Sequence, residues 1–358
     1  MTSRTFNVGV IGYGFSAKTF HIPFISAVPE LKLHAVVQRT PKPDDNAEND
    51  HPGIKSYRST EDMVKDESVD LVVVTTAPDS HLSLTKLALE AGKNVIVEKP
   101  FTPTYQEAEE LIKLAKEKNV LLSVYQNRRW DSDYHTLSKL VKDNTLGRIV
   151  EFESHFDRHR PSLPTASTWK TQVIPGGSAI YDLGTHLLDQ VVHLLGKPER
   201  VTGFVGSQRE GNTSGYEDSF TVLLHYGGGV MATVKAGVVS PEEKQLRFWV
   251  RGVEGSFKKF HLDIQEEQLK SGLRPHDVEY GREPSDRYGT LTTIRDGVPV
   301  AQVAPTLEPP TWTEYYRTFA RALTGKGEVP VRAEDAAGVI RLIELARESS
   351  KTGKTLDV

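Results

Sequence analysis

Near the amino terminus the residues Gly12-Tyr13-Gly14-Phe15-Ser16-Ala17 constrain the fold more than any other feature of the chain. They fit G-x-G-x-x-A, and they lie between a short apolar run, Phe6 to Ile11, and a segment that opens a helix. In a strand–turn–helix setting each position has a physical reason. Gly12 permits the tight turn, Gly14 lets the backbone approach a pyrophosphate, and Ala17 is small enough for the helix to pack on the strand. Free N–H groups and the dipole at the helix start favour an anion there. Glycines can also serve a strand–helix turn for backbone reasons alone, so the surrounding pattern has to decide.

That pattern alternates. Leu31 to Gln38, Val69 to Thr75, Asn94 to Val97 and Val120 to Val124 read as further short strands. The continuous run Leu71-Val72-Val73-Val74 is typical of a strand covered on both faces. Helix patterns fall between them, clearest at Ser80 to Ala91 and at Tyr105 to Lys118, where Ala108, Leu111, Ile112 and Ala115 recur at helical spacing. Repeated β-α-β order predicts a parallel, doubly wound Rossmann sheet over residues 1–125.

After Gln126 the pattern changes. Arg148 to Arg158 reads as a longer strand and Gly177 to Leu195 as a helix. From Arg200 to Phe260 come strand-like runs separated by turn clusters such as Gly211-Asn212-Thr213-Ser214-Gly215 and Gly227-Gly228-Gly229. Two helices follow, near Thr313 to Leu323 and Ala333 to Ser349, and Gly272 to Pro310 reads as a long irregular connection. The expected fold class is therefore α/β overall. Behind the Rossmann domain, residues 126–358 should form an α+β domain with a large, mainly antiparallel open sheet.

Composition agrees with two domains, because 358 residues exceed what one core usually supports. With 37% hydrophobic and 26% charged residues the chain reads as an ordinary soluble globular protein. A net charge of -4 offers no electrostatic case for nucleic acid or an anionic membrane. The first residues lack the apolar stretch of a signal peptide, and no apolar run approaches the ~20 residues of a membrane span. The absence of cysteine excludes disulfides, zinc–thiolate sites, Fe–S clusters and cysteine nucleophiles. A reducing compartment is compatible with this, and the cytoplasm is the simplest expectation.

Two groups of residues can carry chemistry. Glu98-Lys99-Pro100 ends the fourth strand, on the sheet edge where such folds bind ligands. A partly buried lysine there could be tuned to a pKa near ~7–8 and handle a proton; a surface salt bridge with Glu98 is the plain alternative. The second group is Gly176-Gly177-Ser178-Ala179-Ile180-Tyr181-Asp182-Leu183-Gly184-Thr185-His186. Asp182 and His186, spaced i, i+4, share a helix face, so the carboxylate can orient the imidazole and stabilise its charged form. A helix-start acid and a core histidine are the plain reading. Asp189 and His193 continue along the same helix, but roughly two turns or more from Asp182, and there is no H-E-x-x-H. No metal site is expected.

The end of the second strand speaks to the coenzyme. NAD sites usually place Asp or Glu there, about 20 residues beyond the glycines, to bind the ribose 2′-hydroxyl. Here the residues are Gln38-Arg39-Thr40-Pro41-Lys42, and Asp44 and Asp45 come later. Arg39 can pair with a 2′-phosphate and Thr40 can hydrogen-bond it. NADP(H) is expected over NAD(H).

In this order and spacing, the Gly12–Ala17 turn, Glu98-Lys99-Pro100 and the Asp182/His186 helix resemble the Gfo/Idh/MocA oxidoreductases. Phe20-His21-Ile22-Pro23, Tyr125-Gln126-Asn127-Arg128-Arg129-Trp130, and Arg160-Pro161 followed by Trp169-Lys170 look like the NADP-dependent branch that includes scyllo-inositol dehydrogenases. The resemblance implies a C-terminal domain whose open sheet forms a dimer interface, giving a homodimer or a dimer of dimers. It implies NAD(P) in a cleft, a Lys99–Pro100 peptide that is often cis, and sugars, inositols or related polyols as substrates. It makes Lys99, Asp182 and His186 the catalytic positions. Its cofactor set takes in Gly12, Tyr13, Gly14, Phe15, Ser16, Arg39, Thr40, Thr76, Pro78, His81, Glu98, Lys99, Gln126 and Trp169. Asn127, Arg128 and Tyr181 join Asp182 and His186 as substrate contacts, with Trp169 beside them. Two alternatives stay open: a catalytically silent NADP-binding regulator, against which the kept proton-handling residues argue, and a reductase of a non-sugar substrate.

Overall fold

The computed structural model describes residues 4–165, 171–308 and 310–358. The chain forms two compact units. One comprises Met1–Asn127, Glu266–Tyr280 and Pro310–Ala337; the other comprises Arg128–Gln265, Gly281–Pro309 and Gly338–Val358.

The first unit is built on six parallel strands, β1 (Phe6–Ile11), β2 (Leu31–Val37), β3 (Lys55–Tyr57), β4 (Leu71–Val74), β5 (Asn94–Val97) and β6 (Leu122–Val124), in the order β3-β2-β1-β4-β5-β6. Helices α1 (Ile22–Ser26), α2 (Ala47–Asp50), α3 (Thr60–Val64), α4 (His81–Glu90) and α5 (Tyr105–Lys118) connect them. The whole Leu71–Val74 run is buried, each side chain contributing roughly 1.5–3 kcal/mol relative to exposure. Helix α5 starts on a full capping box: the Thr104 hydroxyl accepts from the Glu107 amide, and the Glu107 carboxylate accepts from the Thr104 amide. Strand order reverses between β1 and β4, and the glycine turn leaves β1 at that point, where open parallel sheets bind ligands.

The second unit holds a nine-stranded sheet. Its strands are β7 (Ile149–His155), β8 (Arg200–Gly206), β9 (Ser219–His225), β10 (Met231–Ala236), β11 (Leu246–Gly252), β12 (Gly255–Phe260), β13 (Gly289–Arg295), β14 (Val298–Ala304) and β15 (Leu356–Asp357), in the order β14-β13-β12-β11-β7-β10-β9-β8-β15. All neighbours are antiparallel except β7 and β10. Helices α6 (Ser132–Lys142) and α7 (Thr185–Leu195) pack together, with α7 against β7 and β10. Burial alternates along β10 and most of β9, with Val222, Leu224, Ala232 and Val234 fully buried; Phe152, Phe248 and Val250 are fully buried too, while Phe204 on β8 and Phe260 on β12 are exposed. Helix α8 is Gln265–Lys270, α9 Thr313–Leu323 and α10 Ala333–Thr352. Among the described residues no helix is long and apolar enough to cross a membrane.

Both expected sheets are present, with three differences of detail. The connection expected to be irregular from Gly272 to Pro310 contains the β13–β14 hairpin. Asp296 (φ 51°) and Gly297 (φ 78°) form its two-residue loop, a pairing of left-handed residues that suits tight hairpins. Strand β3 was not expected, since its three residues Lys55, Ser56 and Tyr57 carry no apolar run. The helix expected from Gly177 begins at Ile180, as a wide π-type turn (Ile180–Gly184) that runs into α7.

A buried ion pair fixes α6 to the sheet. Arg247, 1% exposed, donates from Nε to Asp133 Oδ2 at 2.9 Å, from Nη2 to Gln190 Oε1 at 2.7 Å and from Nη1 to Ser154 Oγ at 2.9 Å. Removing one partner of such a pair strands a charge in the interior. Asp133→Ala should therefore lower unfolding free energy by about 3–5 kcal/mol. Adding Arg247→Met should recover much of that loss in denaturant titrations. Strictly additive losses would show that the pair is not what holds this region.

Candidate active site

The glycine turn has the geometry its sequence requires. Gly12 adopts φ 96°, and a Cβ there would stand 3.0 Å from Thr75 Oγ1 and 3.3 Å from Thr76 Cγ2. Its amide bonds Val37 O at 3.1 Å, while the Thr75 amide bonds Ile11 O at 3.0 Å, so the turn is braced by strands on both sides. Among the described residues a Cβ on Gly14 would meet nothing within 4 Å. That open space at a helix start is what a pyrophosphate needs, so the residues fit a dinucleotide. Tyr13 is buried, and its hydroxyl donates to Asp50 Oδ2 at 2.7 Å; Phe15 is exposed, edge-on to Phe20 at 5.3 Å. Lys18 lies over the Tyr13 ring and pairs with Asp45.

Glu98 is buried beneath this turn, so a surface pair with Lys99 does not describe it. Its Oε1 accepts from Ser16 Oγ and meets His21 Nε2 at 2.9 Å; its Oε2 accepts from the Lys99 amide at 2.9 Å. Burial pushes the carboxyl pKa up, but the His21 hydrogen bond and charge, the Lys99 charge and Ser16 outweigh it and hold it at about 2. The Lys99–Pro100 peptide is cis. His81 Nδ1 faces Pro100 O at 2.8 Å and its Nε2 faces Thr76 O at 3.1 Å, with burial driving the imidazole pKa down against those carbonyls. Thr76, Pro78, His81, Glu98 and Lys99 thus gather at the carboxyl ends of β4 and β5. Gln126 and Asn127, both buried, follow β6.

At the end of β2 the Gln38 side chain is consumed by its own loop. Its Nε2 donates to Asp45 O at 2.7 Å, and its Oε1 accepts from the Ala47 amide at 3.0 Å. Arg39 and Thr40 next to it are exposed.

In the second unit, Asp182 and His186 lie on the continuous π-type turn and α7, with His186 buried and Asp182 half-buried. Ser178, which precedes them, is strained: its φ is 127°, and its buried Oγ has no hydrogen-bond partner among the described residues. Its carbonyl accepts from the Asp182 amide at 2.9 Å. Tyr181 packs under Arg347, whose guanidinium carbon lies 5.7 Å from the ring centre and which donates to Glu217 at 3.0 Å. Arg128 stacks on Phe156 at 5.0 Å and reaches Asp131 at 3.1 Å. Asp189 is taken up by Arg129 at 2.8 and 2.7 Å, and His193 meets Tyr134 OH. Trp169 lies outside the described residues.

Comparison with known proteins agrees with the two sheets and their order in the chain. Residues 6–126 match the family described as "Oxidoreductase family, NAD-binding Rossmann fold", and residues 138–358 match "Oxidoreductase family, C-terminal alpha/beta domain". The chain belongs to the Gfo/Idh/MocA oxidoreductase family. It is 40% identical to the uncharacterized oxidoreductase YdgJ of Escherichia coli, over 99% of both chains. It is 35% identical to scyllo-inositol 2-dehydrogenase (NADP(+)) IolW of Bacillus subtilis, over 98% of this chain and 96% of that one. A solved structure of the oxidoreductase yvaA from Bacillus subtilis superposes with a TM-score of 0.93 at 35% identity, covering 100% and 99% of the two chains.

Sequence reasoning missed three neighbours of these motif residues. His21 and Tyr316 are one pair: His21 Nδ1 stands 2.6 Å from Tyr316 OH. Phe20-His21-Ile22-Pro23 was visible as a motif, but nothing in it points to Glu98. The third is Tyr216, whose phenol pKa is pushed up by burial and then by the charge of Asp182. An aromatic residue beside a Gly/Asn/Ser turn cluster was the one available hint.

The two glycines should separate stability from binding. Gly12→Ala meets both a left-handed backbone and Thr75, and should cost about 1–3 kcal/mol of stability. Gly14→Ala should leave the melting temperature unchanged and weaken NADPH binding at least about tenfold, because the added methyl takes the ligand's space. Unchanged NADPH affinity in Gly14→Ala would show that no nucleotide approaches this turn.

Proposed function

We propose that this oxidoreductase moves a hydride between NADP(H) and a carbinol or carbonyl carbon of a sugar, an inositol or a related polyol. The observation that carries this reading is the state of Glu98: a buried, ionised carboxylate bonded both to the nucleotide turn and to the Lys99 amide. A nucleotide sensor has no need of that link to a lysine. The name of the relative IolW supports both the coenzyme and the substrate class.

The Gly12–Ser16 turn would hold the pyrophosphate, with Thr76, Pro78, His81, Glu98, Gln126 and Trp169 around the rest of the coenzyme. Arg39 would pair with the 2′-phosphate and Thr40 would hydrogen-bond it, and Gln38, tied into its loop, offers no carboxylate against them. When bound, the nicotinamide supplies or accepts the hydride. His186 takes the hydroxyl proton in oxidation and returns it in reduction. Lys99 donates a hydrogen bond to the same oxygen and stabilises its developing negative charge. Asp182, one turn before His186, orients the imidazole and stabilises its charged form. Asn127, Arg128 and Tyr181 complete the substrate contacts. The exposed sheet face bearing Phe204 and Phe260 supports assembly as a homodimer or a dimer of dimers.

Turnover of a polyol and sugar panel, followed at the nicotinamide absorbance, tests this. Lys99→Ala and His186→Ala should each lower kcat by about 10²–10⁴-fold with NADPH affinity little changed. Full turnover in either variant would remove that residue from the chemistry. Arg39→Ala should weaken NADPH about tenfold or more and leave NADH unaffected; equal effects on both coenzymes would end the 2′-phosphate assignment.

A further inference from the structure

The motif Phe20-His21-Ile22-Pro23 has no part in the reaction described so far. The chain reaches His21 through a wide turn, Ala17–His21, closed by the Ile22 amide on Ala17 O, and Pro23 lacks the N–H that would tighten it. The turn carries the His21 ring into the interior, where it is fully buried. A core histidine satisfied by local backbone would be ordinary. His21 instead spends both ring nitrogens on side chains far away in sequence, Glu98 at 2.9 Å and Tyr316 at 2.6 Å. Because the Glu98 carboxylate is ionised and can only accept, Nε2 carries the hydrogen of that bond.

We infer that His21 is a positioning residue for Lys99, acting through Glu98 and itself held in place by Tyr316. Glu98 Oε1 is fixed by Ser16 and His21, which leaves Oε2 aimed at the Lys99 amide. Without His21, a buried carboxylate loses the partner that most favours its charge. It then takes up a proton or turns, and the backbone beneath Lys99 loses its anchor. The groups that act on Glu98 or feel its charge are Ser16, His21, His81 from α4, Lys99, Tyr125 after β6 and Tyr316 from α9. Burial drives both tyrosine pKa values well up and that of His81 down. Those three groups therefore supply no positive charge to replace His21.

The inference rests on the proposed role of Lys99, and the test separates the two. His21→Leu, His21→Gln and Tyr316→Phe are compared in the full-length protein, on a polyol that the unaltered protein turns over with NADP(H). His21→Leu should lower kcat about tenfold or more, with NADPH affinity changing less than about threefold. Its kcat should also fall at acidic pH where the unaltered protein still turns over, because Glu98 without His21 protonates at higher pH. His21→Gln, whose amide can still donate to Glu98, should recover most of kcat, and Tyr316→Phe should fall between. If His21→Leu does not fold, the Gln and Phe variants carry the comparison. Wild-type kcat and pH profile in His21→Leu or Tyr316→Phe, or a Gln variant as impaired as Leu, would overturn the inference. If Lys99→Ala retains turnover, the proposed role of Lys99 fails and this inference falls with it. If Lys99→Ala is inactive while the His21 variants behave as wild type, only the role of His21 fails.

Discussion

The Glu98 carboxylate is the point on which the first unit turns. Burying an ionised carboxylate is expensive, and the chain offsets this by bringing hydrogen-bond donors to both oxygens: Ser16 and His21 to one, the Lys99 amide to the other. Those partners come from the nucleotide turn, the wide turn after it and the end of β5. One buried charge therefore sets the mutual placement of the glycine turn and the segment that carries Lys99. Tyr125 and Tyr316, whose rings pack around His21, exclude water from this network and so strengthen every interaction within it.

The second unit solves a similar problem for the helix that bears His186. Helix α7 is held from behind by charged groups: Arg129 grips Asp189 with two hydrogen bonds, and Arg247 reaches Gln190. The proton transfer proposed for His186 needs a side chain held to within a fraction of an ångström, and polar anchors directed at neighbouring positions of the same helix favour that rigidity. At the head of the helix the backbone is under strain instead. Ser178 keeps a left-handed φ of 127°, a backbone strain of roughly 1–3 kcal/mol, and among the described residues its buried hydroxyl has no hydrogen bond.

Elements with strong periodicity could be read from the sequence. The Gly12–Ala17 turn, the Leu71–Val74 run and helix α5 each combine a pattern with a boundary signal, and each lies where expected. The β13–β14 hairpin escaped because charged and proline residues around it outweighed a two-residue Asp296-Gly297 turn flanked by Ile294 and Val298. Strand β3 had none, because pairing with β2 and not its own composition makes it a strand. Lys99, Asp182 and His186 stood out because each lies in a compact motif. Their supports did not. His21 and Glu98 are 77 residues apart and His21 and Tyr316 295 apart, and a contact at that separation leaves no local trace in one sequence. Gln38 shows the opposite case: the missing carboxylate was legible, but the capture of its amide by Asp45 and Ala47 was not.

The turn after β1, with Arg39 and Thr40 beyond β2, is proposed to hold NADP(H) for hydride transfer. Equilibrium titration of the unaltered protein with NADPH and with NADH tests it most directly, since it needs no knowledge of the substrate. Saturable binding of one nucleotide per chain is expected, with NADPH tighter than NADH by about tenfold or more. Tighter NADH would contradict the assignment of Arg39 and Thr40, and no binding of either nucleotide would contradict the account as a whole.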